Sequence, residues 1–450
     1  MIGKERLFAK LEKVLAQSKA DEADVVYIGT ESGLTRYANS AIHQNVFENN
    51  SKIYFRSVLG KKTGVASTNS LVPADLKRTL DNSYDIARNQ PENPHFPGLA
   101  RPAKYRDLDT FDERTAAFSP RDRARVVKKI IAVADRKKFT LAGAFATQCG
   151  EVAVLNTKGV RAYQPVAAAS INMIAMSATS SGYAAGLSRH VDDIDFENLA
   201  QVAVGKCDRS QNPRGIEPGE YEVILEPAAV GSLLEWMNYI GLGSKAFQEK
   251  SSFLAGKIGK KIVSDLITLY DDALETHSIA FPFDFEGVPK KKVMFIDKGV
   301  AKGVVYDRIT AFKEKTRSTG HALTPDSSGE GGIGFNLVMA PGKTKRDAMI
   351  AKVKRGILVT RFHYINGYID TPNAVMTGMT RDGTFLIEKG EIKGGIKNLR
   401  FTDSMLRAFV SAVAVSRETE LIQSWWDAVG CLKVPTVHLG SFRFTGKTEF

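Results

Sequence analysis

Two imidazoles on one helix face with a carboxylate beside them are the minimum for a helix-borne zinc peptidase site. The imidazoles hold the ion and the carboxylate takes a proton from its bound water. The seven histidines of this sequence are His43, His95, His190, His277, His321, His363 and His438, and none is followed by Glu. No such helix is therefore encoded. His321 follows Ser318-Thr319-Gly320, and His363 shares the run 362–370 with Asp370; each reads as a surface or loop histidine. The sequence assigns no catalytic and no metal-binding residue. Residues 329–334, Gly-Glu-Gly-Gly-Ile-Gly, match G-x-G-x-x-G in form. A dinucleotide fingerprint needs an apolar strand before it and a helix after it. Here Thr324-Pro325-Asp326-Ser327-Ser328 precedes and a strand-like run, 335–339, follows, so a flexible loop is expected. No G-x-S-x-G elbow and no Walker-type phosphate loop occurs. Cys431 reads as a small buried residue.

The elements that must carry these residues follow from apolar spacing. Residues 4–17 have a helical pattern in Leu7, Phe8, Leu11, Val14 and Leu15. Short β-rich runs follow at 25–28, 41–47 and 52–55, punctuated by Gly29, Gly33 and Gly60, then a helix at 73–88. Pro91, Pro94, Pro97 and Pro102 mark a first boundary. A second unit holds a basic helix at 121–137, strands at 140–148, 151–156 and 160–177, a turn at Asn156-Thr157-Lys158-Gly159, and a helix at 196–207. Asn212-Pro213-Arg214-Gly215 is the second boundary. The last unit has strand patterns at 221–225, 292–296, 335–339, 357–360, 384–388 and 434–439, and helices at 228–240 and 402–414. Helices and strands are grouped rather than alternating as βαβ units, so the expected class is α+β, with mixed N-terminal units and a large, mainly β C-terminal domain. The expected domains are 1–97, 104–210 and 217–450.

Composition narrows the classes. The chain has 450 residues, too long for one ordinary domain. Its hydrophobic content of 43% and charged content of 25% are ordinary for a globular protein. No apolar run reaches the ~18 residues that span a bilayer, and residues 1–6 read as part of an amphipathic helix rather than a signal peptide. Three cysteines without C-x-x-C spacing argue against a disulfide framework and for a reducing cytoplasm. The net charge of +12 suits an acidic partner, yet the basic residues are dispersed in short clusters such as Lys290-Lys291-Lys292 and Lys343-Thr344-Lys345-Arg346. Such clusters are ordinarily solvated faces, so neither a specific nucleic acid nor a membrane is expected as partner.

Several motifs occur in a fixed order: Arg36-Tyr37-Ala38-Asn39-Ser40-Ala41-Ile42-His43-Gln44, Asp284-Phe285-Glu286-Gly287-Val288-Pro289, Gly303-Val304-Val305-Tyr306-Asp307, Ser318-Thr319-Gly320, 336–342, 356–360 and Val434-Pro435-Thr436-Val437. This order resembles the TldD/PmbA family, once called modulators of DNA gyrase, over about residues 25–445. The TldD members are zinc metallopeptidases with a His-Glu-x-x-x-His helix; the PmbA, or TldE, members lack it and pair with TldD. In the matching segment, 233–242, Glu235 stands at the first His, Trp236 at the Glu and Ile240 at the last His, so the resemblance is to the PmbA/TldE kind. It implies a non-catalytic subunit of a TldD/TldE-type complex that processes or degrades unfolded peptides in the cytoplasm. It also implies no cofactor of the chain's own, with zinc on a TldD-like partner, and a dimer with that partner or with itself. The alternatives are a homodimeric peptide-binding protein, a free-standing hydrolase with a rebuilt site, and a gyrase- or DNA-associated regulator. Asn336, Leu337, Val338 and Met339, with Ile357 and Val359, are the expected edge of a peptide groove, the other reading being internal sheet pairing.

Overall fold

A computed structural model of the chain describes residues 1–275, 279–424 and 430–448. His277 lies outside the described residues. Two sheets organise the fold, and the class is α+β as expected.

The first sheet has strands β1 (Glu22–Ala38), β2 (Ala41–Leu59), β3 (Lys62–Thr68), β4 (Thr140–Asn156), β5 (Arg161–Met176) and β6 (Ser181–Ser188), in spatial order β3-β2-β1-β4-β5-β6 and antiparallel throughout. β1 and β4 pair from Asp24↔Asn156 to Tyr37↔Gly143, so one sheet draws on both 1–97 and 104–210. Asn39 (φ 49°) and Ser40 (φ 56°) make the two-residue turn between β1 and β2, the positive-φ geometry that matches the strand twist of a tight hairpin. One face is covered by α1 (Lys4–Leu15) and α2 (Pro73–Asn89), whose Leu7, Leu11, Leu76 and Leu80 pack on Val25, Tyr27 and Phe55. Past the one-turn α3 (Glu113–Ala116), α4 (Pro120–Asp135) and α5 (Phe196–Arg209) cover the rest through Val127, Ile130, Ala200 and Val204. Arg123 of α4 is buried beneath Gly33 and donates to Thr35 Oγ1 (3.1 Å), Thr147 Oγ1 (2.9 Å) and Phe118 O (3.0 Å).

The second sheet has strands β7 (Gly219–Leu225), β8 (Leu269–Asp271), β9 (Val293–Asp297), β10 (Val300–Ala301), β11 (Asn336–Met339), β12 (Arg355–Asp370), β13 (Val375–Glu388), β14 (Glu391–Gly395), β15 (Leu399–Ser404), β16 (Ala412–Gln423) and β17 (Cys431–Lys447). β7, β12, β13, β15 and β17 close on themselves, because β17 pairs with β7 as well as with β15. Helix α6 (Pro227–Met237) leads this unit, followed by the short helices α7 (Ser244–Gln248), α8 (Arg308–Lys313), α9 (Arg346–Ile350) and α10 (Met405–Val410). The two sheets share a core in which Val26, Tyr54, Val152 and Val154 meet Phe281, Phe283, Phe285 and Phe335.

Two expectations are corrected. Residues 402–414 are not one helix: Thr402 and Asp403 pair with Thr377 and Met376 in β15, Ser404 accepts from the Arg407 amide to start the short α10, and β16 begins at Ala412. Nor do Asn336, Leu337, Val338 and Met339, or Ile357 and Val359, form an edge. β11 is paired on both sides, to Tyr270 and Asp271 of β8 and to Cys431, Leu432 and Lys433 of β17. Residues 356–359 of β12 are held between β7 and β13. With both rows of main-chain groups satisfied, neither strand has donors or acceptors left for a peptide.

Candidate functional site

Pro227 at the first helical position starts α6, and the helix is buried nearly all round, as its run of Ala, Val, Leu, Trp and Met dictates. It does not stop at Met237 but widens into a π-helical turn, Asn238–Leu242. Such turns store local irregularity and recur at functional sites. Asn238 uses the turn to clamp the opposite loop: its Nδ2 donates to Gly334 O (2.8 Å), and Gly334 N donates to its Oδ1 (3.1 Å). Gly243 lies against Gly332, where a Cβ would overlap the carbonyl oxygen.

Between these walls lies a cleft of about 610 Å³, lined by the π turn and α7 on one side, by 323–335 on the other, and by Tyr368, Thr371 and Ser424. Trp236, Tyr239 and Tyr368 meet edge to face, with ring centroids 6.1, 5.8 and 5.8 Å apart. Tyr239 and Tyr368 are exposed, an aromatic platform with a wet rim. Partial burial, then hydrogen bonding to Tyr239, pushes the Tyr368 phenol up to about 12. Lys245 and Glu330 form an ion pair across the mouth at 3.5 Å.

Behind the cleft is a buried polar layer. His321 is fully buried, its Nε2 2.9 Å from Asp271 Oδ1 and its Nδ1 3.0 Å from Thr319 O. Asp271 also accepts from the Asn336 amide at 2.7 Å. Burial opposes ionisation there, yet the imidazole and the donated hydrogen bonds hold its carboxyl below the ordinary value. Asp284 accepts main-chain amides from Glu286, Val288 and Ala322. Glu286 accepts from the Arg308 amide (3.0 Å) and lies 3.9 Å from Arg56 of β2, which is itself paired with Asp24 of β1. Burial first, and the Asp284 carboxylate second, push Glu286 up to about 8.

Of the residues matching the zinc helix, Glu235 is buried and accepts from Ser424 Oγ. Trp236 and Ile240 pack on the β12 backbone at Gly367, where a Cβ would come within 2.8 Å of the indole. The residues do not fit a zinc ion: an indole and a branched alkyl group have no ligand atom to offer. Among the described residues no group of three or more His, Cys, Asp or Glu side chains gathers at ligand spacing. His321 lies on a loop, one of the two expected placements, but it is not at the surface: it is sealed between Asp271 and Thr319. His363 is half-buried on β12, its pKa lowered by burial, then by Arg381 and Arg361. Asp370 caps the turn at Thr371–Asn373. Cys431 is buried beside Asn336. The glycine run 329–334 forms a cleft wall, with no helix after it. Sequence reasoning missed Tyr239, Lys245, Glu330 and Tyr368; its available signal was the recurrence of aromatics through 362–368, at odds with an ordinary buried strand.

Residues 218–446, just over half the chain, match the PmbA/TldA metallopeptidase C-terminal domain, and residues 23–87 match PmbA/TldA metallopeptidase domain 1. The chain belongs to the PmbA/TldD family. A relative in Haemophilus influenzae, a metalloprotease TldD homolog, is 23% identical over 91% of this chain and 88% of its own length. Metalloprotease PmbA of Escherichia coli O157:H7 is 24% identical over 90% of each chain. The crystal structure of TldE from Thermococcus kodakarensis superposes with a TM-score of 0.87 at 24% identity, covering 98% of this chain and 99% of that one. A modulator of a DNA gyrase, so described as a candidate, from Thermotoga maritima superposes with a TM-score of 0.86 at 19% identity, over 98% and 100% of the two chains. At these identities the structural likeness to the PmbA/TldD family members is one of fold. Among the described residues no helix is long and apolar enough to cross a membrane.

Proposed function

We propose that this chain is a TldE-like, non-catalytic subunit of a TldD/TldE-type zinc metallopeptidase that processes unfolded peptides. One observation carries the reading: the zinc-helix positions are filled by Glu235, tied to Ser424, and by Trp236 and Ile240, packed on Gly367, while an open cleft persists beside them. The framework is kept and the metal chemistry is not. In this reading the cleft holds an extended peptide. Tyr239 and Tyr368 take a side chain against their rings, Lys245 and Glu330 offer one charge of each sign, and the zinc that activates water belongs to a TldD-like partner. The work is cytoplasmic, in keeping with three free, buried cysteines.

The test has two arms. The chain purified alone carries no stoichiometric zinc and does not cleave an unfolded peptide. Co-expressed with a TldD-like zinc peptidase from the same cell, it forms a mixed dimer with chelator-sensitive cleavage. About one tightly held zinc per chain, with chelator-sensitive turnover by the chain alone, overturns the reading. Failure to form the mixed dimer moves the assignment to a homodimeric peptide-binding protein.

A further inference from the structure

Among the described residues, a stretch of main chain with a strand partner on one side only lies away from the cleft's floor, on β2. β1 pairs with β2 along its whole length, but β3 covers only Ile53 to Leu59, ending at Ile53↔Thr68. Among the described residues nothing pairs with the outer side of residues 41–50. Nine of these ten residues are exposed, Phe47 by 64% and Ile42 by 40%. Sheet edges are ordinarily blunted by lysine, proline, a bulge or a covering loop. Here the segment Ala-Ile-His-Gln-Asn-Val-Phe-Glu-Asn-Asn holds no lysine and no proline, one acid, and four neutral amides. Its pairing with β1 has one irregularity, a bulge at His43 between Arg36↔Gln44 and Tyr37↔Ile42, and is unbroken from Gln44 to Asn50. Beyond that bulge the edge is regular and nearly uncharged.

It also leads to the cleft. Where β3 stops, Ser51 Oγ donates to Asn69 O (3.0 Å) and Lys52 reaches Asp326 (3.4 Å). Asp326 belongs to the turn Pro325–Glu330, whose Ser327 and Glu330 line the cleft. A strand added beside residues 41–50, in line with β3, would therefore end at the cleft's rim. Ten residues of edge at ~3.3 Å each present about 33 Å of main chain.

We propose that the free edge of β2, residues 41–50, is a docking strip on which an extended polypeptide segment adds as an antiparallel strand, continuous with the cleft. This deepens the peptide-binding reading above and rests on it. The strip recognises main chain: its donors and acceptors fit any extended peptide, and its nearly neutral surface excludes little. It suits an unfolded substrate of varied sequence, held along its backbone while a neighbouring segment occupies the cleft.

The probe is a fluorescein-labelled, uncharged Thr/Val peptide of about ten residues, matched to the strip length, added to the full chain. Two versions carry N-methyl groups on alternate residues, one on the odd set and one on the even. In an added antiparallel strand only alternate amides face the protein, so one set loses binding at least tenfold and the other keeps it. Hydrogen exchange of the amides at 41–50 slows at least tenfold on peptide addition. Binding to which both methylated sets contribute equally, with protection confined to 323–335 and 362–370, overturns the strip and leaves the cleft reading standing. No binding of the unmethylated peptide overturns both. A chain that is dimeric, and made monomeric by Phe47→Lys, assigns the edge to a second copy and also overturns the proposal.

Discussion

Ile240 is 3% exposed and Trp236 9%, so both side chains are packed into the core. The indole meets Tyr239 and Tyr368 edge to face and leaves no room for a side chain at residue 367. Trp236→Ala removes a buried ring and the support of the aromatic platform. The expected loss is ~3–5 kcal/mol of unfolding free energy, read by urea denaturation, and Trp236→Phe loses less than half of that. A loss under ~1 kcal/mol for Trp236→Ala would show that the ring merely covers the helix. The absence of a His-Glu pair was legible in the sequence because it depends on residue type alone: no histidine is followed by Glu, wherever the chain folds. The cleft was not legible, because Tyr239 and Tyr368 are 129 positions apart and only the π turn brings them within one ring contact. The His321–Asp271 pair was missed for the same reason, since its partners lie on β8 and on a loop 50 residues later.

At the level of elements, the joint between the sheets is electrostatic as well as apolar. Arg56 on β2, paired with Asp24 on β1, reaches Glu286, which in turn receives the first amide of α8. Glu286 is pushed from an ordinary 4.5 to about 8, chiefly by burial. A carboxyl that holds its proton more tightly folded than unfolded contributes stability that is full below about 4.5 and is lost as pH rises through about 8. The slope from this one group is at most ~1.4 kcal/mol per pH unit. Glu286→Gln keeps an acceptor for the Arg308 amide and removes the titration. Urea unfolding of the variant is therefore expected to vary less between those two pH values than that of the parent chain. Parallel profiles would mean that another buried acid, such as Asp284, sets the slope. Elements were partly legible. Helices at 4–15, 73–89, 120–135 and 196–209 follow their apolar spacing closely. β1 and β4 run longer than expected because Gly29, Gly33 and Gly150 sit inside strands rather than at turns. They are glycines for packing: at Gly33 a Cβ would strike the Arg123 guanidinium, and at Gly150 the Gly29 carbonyl. Local sequence does not reveal what lies over a strand, so a packing glycine reads as a turn. At 402–414 propensity favoured a helix, and pairing with β13 prevailed over it through Ser404.

At the scale of the whole molecule, several large apolar side chains stand exposed. Val410 (59%) and Val413 (54%) are exposed around α10 and β16, and Tyr364 (78%) and Ile369 (52%) on β12. All four belong to the unit 217–450, and apolar side chains gathered into one exposed patch mark interaction sites. In the closed ring of β7, β12, β13, β15 and β17 each strand pairs with two others, which gives such a site a continuous platform. On the proposed reading the chain serves in assembly, and obligate interfaces of that kind bury ~2,000 Å² or more with an apolar centre. The expectation is a dimer built mainly through this unit. Light scattering at micromolar concentration should give about twice the 49.2 kDa chain mass, in the range where obligate dimers persist. Val413→Glu should shift it toward monomer by placing a charge in the apolar centre, and Phe47→Lys, on the other sheet, should not. A TldD-like partner added in excess should displace one copy from the parent chain and fail to bind the Val413→Glu variant. A monomeric parent chain would remove the dimer, and a Val413→Glu dimer as stable as the parent's would move the interface off α10 and β16.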